Sequence, residues 1–272
     1  MASNSAFQLV DEHGWRAGLN NLFRKENRDW WGTRSWLVQA IIWTAILIGI
    51  LATVLFAETN GSAGFALLGG KWVIGLTVFF SVAGIALSIG ASIMGQEEVL
   101  DEKRSGTAAW ILSKPVSRAA FILAKIIANA IGILIIMILL EGALAYILLS
   151  ISRGRPLDIL PYLAALSVLY LNVMFYFLLA LMFSAATNSR GAAIGIPMAM
   201  LFGYQFLVGI APWLLEITPW GLTNPGTSGL SPTLAVSMAL GQPVSPTPII
   251  ATLAWCVLFV VVALWKFNRD EF

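Results

Sequence analysis

The stretch QEEVLDEKRSGTAAWILSKPVSRAAFILAK, Gln96 to Lys125, interrupts a chain that is otherwise almost entirely apolar. It gathers nine charged side chains, breaks at Ser105, Gly106 and Thr107, makes a short apolar run through Trp110, Ile111 and Leu112, and breaks again at Pro115. Its acids Glu97, Glu98, Asp101 and Glu102 sit beside Lys103 and Arg104. That mixed-sign face suits ion pairs with protein, since a segment meant only for lipid headgroups would keep the cations and drop the acids. Thr107 is placed to cap the run Ala108 to Ser113, and Ser117 to cap the next helix. Arg118 and Lys125 then fall seven apart on one face of that helix.

On either side of this stretch lie segments fit for lipid. Across 272 residues, 58% are hydrophobic and 11% charged, with a mean hydropathy of +0.83, which describes an integral membrane protein. A spanning helix needs about 20 apolar residues, and six runs qualify: Trp36 to Phe56, Trp72 to Met94, Ala119 to Leu149, Ile159 to Phe183, Gly191 to Ala211 and Ile249 to Trp265. The runs are continuous, whereas a transmembrane barrel would show short alternating strands. The expected fold is therefore an all-α polytopic membrane protein. It comprises an N-terminal tail and interfacial amphipathic helix (1–35), a six-helix membrane domain (36–266) containing the charged loop 96–118, and a short C-terminal tail (267–272).

The cations set the orientation, because Lys and Arg collect on cytoplasmic loops. Arg16, Arg24, Lys25, Arg28 and Arg34 precede the first span, Lys103 to Lys125 surround the second connection, Arg190 joins spans four and five, and Lys266 and Arg269 come after the last. Only Lys71, Arg153 and Arg155 fall on the other side, so both termini are expected in the cytoplasm. The net charge of +2 gives no sign of nucleic-acid binding. The polar opening lacks the apolar core of a signal peptide.

Several features within this frame bear on function. Trp15, Leu19, Leu22, Phe23 and Trp30 share one helical face, with Arg24, Lys25 and Arg28 largely opposite, the pattern of a helix lying in the membrane interface. Glu26 and Asp29 intrude on the apolar face, so either a protein surface satisfies them or the helix is shorter. Small residues recur at four-residue spacing in Gly84, Ser88 and Ser92, and again in Gly191, Gly195, Ala199 and Gly203. Such strips let backbones approach, and they suit packing within the chain, a subunit interface or a substrate route. Glu141 is an intramembrane carboxylate, a candidate polar site by its expense alone. Counted from Ala119 it stands about 33 Å up the helix, which leaves it at either a functional depth or the far headgroups. Asn188 and Arg190 occupy a second internal loop, a possible further contact for whatever meets the first.

Prolines, glycines, Trp213, Trp220 and a single charge, Glu216, make the external segment 212–248 too apolar for an aqueous loop, so it is expected to be re-entrant or to cap a cavity. The remaining motifs carry no chemistry. Gly70-Lys71 fails as a phosphate loop because Phe65 and Trp72 occupy the places of its glycine and hydroxyl residue. Gly226-Thr227-Ser228-Gly229 has the serine motif of rhomboid proteases without a membrane histidine, His13 being the one histidine of the chain. Cys256 lies alone in the last span, so no disulfide framework or thiol metal site is expected.

Glu102, Gly106-Thr107, Leu112, Pro115-Val116-Ser117-Arg118 and Lys125 resemble the loop pattern of ABC-2 type transporter permeases, and the layout is similar along the whole chain. The resemblance implies an exporter of two permease chains, a homodimer or a heterodimer with a related permease, and two cytoplasmic ATPase subunits in a prokaryotic cell membrane. ATP and Mg would belong to the ATPase, with no cofactor on this chain. Residues 96–118 would form the coupling segment, and spans two and five would line the route or the seam between permeases. Charge-poor spans rich in Leu, Ile, Phe, Met and Ala suit an amphipathic or apolar cargo such as a drug, peptide or lipid-like molecule. Two alternatives stay open: a non-transport scaffold that partners an ATPase, and a permease serving the maturation of an extracytoplasmic metalloenzyme.

Overall fold

A computed structural model describes residues 14–57, 70–224 and 232–269. His13, most of the connection before Lys71 and the Gly226 to Gly229 motif lie outside them. The described residues are helical, with no strand among them. In chain order the helices are α1 (Leu19–Trp31), α2 (Ser35–Phe56), α3 (Lys71–Arg104), α4 (Thr107–Leu112) and α5, which runs from Arg118 to Arg153. Next come α6 (Ile159–Ala186), α7 (Arg190–Leu207), the short α8 (Leu214–Ile217), α9 (Trp220–Thr223) and α10 (Leu234–Ala239), and finally α11 (Thr247–Arg269).

Five helices, α2, α3, α5, α6 and α11, are long and apolar enough to cross a membrane. The sixth expected span, α7, falls short of that measure. It has 18 residues, begins on a charge, contains Pro197, and carries Tyr204 and Gln205 near its end. Three glycines dilute it further.

The central pair is α3 against α6, with α11 and α10 on α6, α2 against α3 and α5, and α7 beside α6 and α3. Gly84, Gly90 and Gly95 let neighbours press on the α3 backbone: an added Cβ would meet Thr223, Trp43 and the Phe177 carbonyl within 2.5 Å. Asn172 of α6 clamps the same face, its Nδ2 donating to the Gly84 carbonyl at 3.2 Å and the Ser88 hydroxyl at 3.0 Å. The contact of Thr223 with Gly84 also locates the segment after α7. Gly84 lies thirteen residues into α3, about 20 Å from its start at 1.5 Å per residue, so α9 reaches the middle of the bundle. Trp220 holds it there by donating to the Met200 carbonyl at 2.9 Å.

With 34 and 36 residues, α3 and α5 are each about 50 Å long against a hydrocarbon layer of about 30 Å. The excess projects at one end, and there the charged residues gather.

Candidate functional site: the charged end

Beyond the apolar bundle, α1 runs alongside α5 in the same direction. Ser117 N donates to the Ala17 carbonyl at 2.9 Å, Lys125 meets Glu26, and Trp30 Nε1 donates to Asn129 Oδ1 at 2.9 Å, so rising numbers on one helix match rising numbers on the other. An added Cβ at Gly132 would strike the Trp30 ring. The apolar face of α1 is thus covered by the chain itself. Leu22 is buried, and Leu19 and Phe23 pack on the core, while Trp15, which precedes the helix, is exposed. The same packing explains the anomalous Glu26, which is buried because its partner lies on α5.

That partner, Lys125, is 2% exposed and lies 3.1 Å from Glu26, 3.3 Å from Glu98 and 3.2 Å from Glu102. Lys25 adds contacts of 3.0 Å to Glu26 and 2.8 Å to Glu102. Burial works against the Lys25 ammonium, but the Glu102 hydrogen bond and the Glu26 charge outweigh it and hold its pKa above the ordinary lysine value. Three helices are therefore tied at one point. An ammonium as enclosed as that of Lys125 is costly unless paired. Glu98 and Glu102, which in the sequence look like acids awaiting another protein, have their partners within the chain.

The second loop joins the same assembly. Lys103 Nζ donates to the Ala185 carbonyl at 2.6 Å, Arg104 to the Asn188 carbonyl at 2.8 Å, and Arg190 pairs with Asp101. Ser184 Oγ bridges the α3 backbone, donating to the Gln96 carbonyl at 2.8 Å and accepting from Leu100 N at 2.9 Å. Arg118 reaches the end of α11, where it donates to the carbonyls of Phe267 and Asn268 at 3.3 and 2.8 Å. Cations at a helix C-terminus complement its unpaired carbonyls and dipole.

At the tip, Gly106 adopts φ 75, a left-handed turn that lets α4 reverse from α3. Gly106 occupies the N-cap position and Thr107 begins the helix, its hydroxyl 2.9 Å from that of Ser105, so Thr107 is not the cap. Ser117 does cap α5, accepting from Ala120 N at 2.9 Å. Trp110 is 63% exposed, with Lys114 Nζ 3.5 Å over its ring, and Pro115 is also exposed. A groove of about 470 Å³ separates α4 from α1 beside them. Glu97 faces outward, as do Arg24, Arg28, Arg104 and Arg190, so the surface presented to solvent is mainly basic.

The small-residue strips have opposite surroundings. Gly84, Ser88 and Ser92 are buried against α6 and α9 inside the chain, which leaves no room for a second chain or a route along them. On α7, Ala193, Pro197 and Leu201 turn inward, and Gly191, Gly195 and Ala199 lie exposed on the other side with Gly203 partly so.

Glu141 is fully buried and accepts a hydrogen bond from Thr44 Oγ1 at 2.8 Å, while its Oε2 has no partner. Thr44 is near the middle of α2. Counted from Asn129, which Trp30 bonds at the charged end, Glu141 is about 18 Å up α5.

Among the described residues no group of three or more His, Cys, Asp or Glu side chains is placed to hold a metal ion. What the charged end offers is a surface braced from within by ion pairs and hydrogen bonds between α1, α3, α5, the Asn188–Arg190 loop and α11. Sequence reasoning missed Asn129, although its place one turn beyond Lys125 was a signal. It missed Lys25 as a partner of Glu102 because that contact spans 77 residues.

These features define a polytopic α-helical membrane protein whose charged residues gather at one end. The chain matches the ABC-2 family transporter proteins over residues 21–272 and belongs to that family. It is accordingly a transmembrane permease subunit of an ABC transporter, distinct from the ABC ATPase subunit that it partners. No curated protein matches it.

Proposed function

We propose that the chain is the permease of an ATP-driven exporter, working as two copies with two cytoplasmic ATPase subunits. The observation that carries this reading is the bracing of the charged end. The stem of α3, α4, the start of α5, the Asn188–Arg190 loop and the end of α11 are bonded into one body, which presents Trp110 and Lys114 at its tip. From that body α3 continues unbroken to Gly84 and α5 to Glu141, so a push on α4 moves the middle of the membrane domain. ATP bound to the partner would bias the spans between inward-open and outward-open states by closing the ATPase pair. In this reading both termini are cytoplasmic, α7 is the sixth span, segment 212–248 is re-entrant, and lipid surrounds the rest. The exposed strip on α7 would meet the second copy, and the cargo is amphipathic or apolar.

The test is purification of the tagged chain from its native membrane. A bound ATPase is expected with the native chain. Trp110→Ala combined with Lys114→Glu should weaken the contact by about 2 kcal/mol, the scale of an interface anchor, while membrane insertion is kept. Recovery of the native chain with no ATPase overturns the reading.

A further inference from the structure

The eight residues of α5 immediately before Glu141, Ile133–Leu140, form a π-helix. Such stretches are uncommon and arise where an α-helix accommodates surplus chain. A π turn holds more residues than an α turn, so converting this stretch to α geometry rotates the residues beyond it by roughly one α step, about 100°. Glu141 is the first residue beyond it, so its direction depends on where the widened turn lies. One of its oxygens is bonded to Thr44 of α2 and the other is buried without a partner.

We propose that the π stretch is a register switch: when the widened turn passes Glu141 toward Arg153, the carboxyl leaves Thr44 and takes the angular position now held by Gly142. That position borders a cavity of about 360 Å³ between α5 and α6, lined by Leu139, Tyr146, Tyr162 and Leu166 among others. Leu139 is exposed on the membrane face, so the cavity opens toward lipid. Room for the incoming side chain depends on Leu166. An added Cβ at Gly142 would lie 2.6 Å from its Cδ1, at the movable end of that side chain. The two ends of α5 need not rotate, because the turn is handed along the helix. The Lys125 cluster holds one end, and the bond from Tyr146 to the Leu157 carbonyl at 3.0 Å holds the other. The switch would give the carboxyl two addresses, one toward α2 and one toward α6, without breaking the helix that links the charged end to the membrane.

The two positions differ in access from lipid, which a hydrophobic carbodiimide reports by modifying carboxyls reached through the bilayer. The full chain in native membranes is treated with dicyclohexylcarbodiimide, and modification of Glu141 is read by mass spectrometry. Thr44→Val removes the resting partner at nearly constant volume and should raise labelling several-fold. Deleting Ile135, a membrane-facing residue of the π stretch, removes the surplus residue and so keeps Glu141 at its present angle; added to Thr44→Val, it should bring labelling back toward the native level. Labelling in Thr44→Val equal to that of the native chain, in protein that remains monodisperse, overturns the switch. Neither arm needs the ATPase, so the result stands apart from the exporter reading. With the purified complex, ATP added under turnover should also raise labelling if the switch takes part in the cycle. Labelling unchanged by ATP in a complex that hydrolyses it removes that role.

Discussion

Helices α3 and α7 carry the same kind of motif, small residues every fourth position, and put it to opposite ends. On α3 the strip is filled from within by Asn172, Thr223 and the α6 backbone, and the charges Glu98 and Glu102 at its end are filled from within by Lys125. On α7 the strip lies open, and Arg190 at its start stands in solvent apart from its pair with Asp101. Spacing alone creates a smooth face; whether it is closed depends on what the rest of the chain brings to it. The lesson is that α3 is a structural spine, and α7 is where this chain leaves a surface unfinished.

The largest expected effect is on the spine's charged end. Lys125→Met removes the cation that three carboxylates share and leaves them buried with only Lys25 nearby. Stranding charges in this way is expected to destabilise the chain by about 3–5 kcal/mol. The loss should be partly recovered by adding Glu98→Gln, since the two changes touch one network. Unfolding can be followed by a thiol-reactive fluorophore, because Cys256, the one cysteine, is buried in the folded chain. A melting temperature equal to that of the native chain would show that the cluster does not hold α1, α3 and α5 together.

A smaller loss is expected where the spine is most tightly packed. Gly84→Leu places a branched side chain where even a Cβ would lie 2.3 Å from Thr223 Oγ1. Overpacking of this kind costs about 1–3 kcal/mol, and here it should also push α9 away from α3. Retained stability in this variant would mean that α9 is free to move, and that the α3 strip resembles the α7 strip more than its packing indicates.

The helices are legible in the sequence because apolar length and turn residues are local signals. Gly106 turns, Ser117 caps α5, and the five long spans match their hydrophobic runs within a few residues at the membrane end. Glu26 stands out of place on an apolar face, as the sequence shows, but nothing local names Lys125 as the reason. Partners of that kind are set by tertiary register, which one chain read alone does not carry. The acids of the charged stretch therefore look like contacts for another protein, although Glu98 and Glu102 face inward. Thr107 has the chemistry of a cap, yet a left-handed Gly106 can end one helix and open the next with no side-chain cap at all. The depth of Glu141 escapes a residue count because hydropathy does not show where a 36-residue helix enters the bilayer.

The smallest effect on the isolated chain, and the sharpest discrimination between the two helices, is expected from Gly195→Leu. An added Cβ at Gly195 meets nothing within 4 Å, so the larger side chain has no neighbour to displace. Replacing a mid-helix glycine by leucine also favours the helix itself by up to about 1 kcal/mol. The melting temperature should therefore be unchanged or slightly raised, the reverse of the result at Gly84. If α7 meets a second copy through this strip, close backbone approach is lost, and association in membranes has no hydrophobic drive to replace it. The two-copy form, measured by light scattering of the purified protein or by cross-linking in the membrane, should fall while the single chain stays folded. A variant that remains two-copy with full transport would show that α7 is open to lipid only, and the seam would then have to be sought on another exposed helix such as α2.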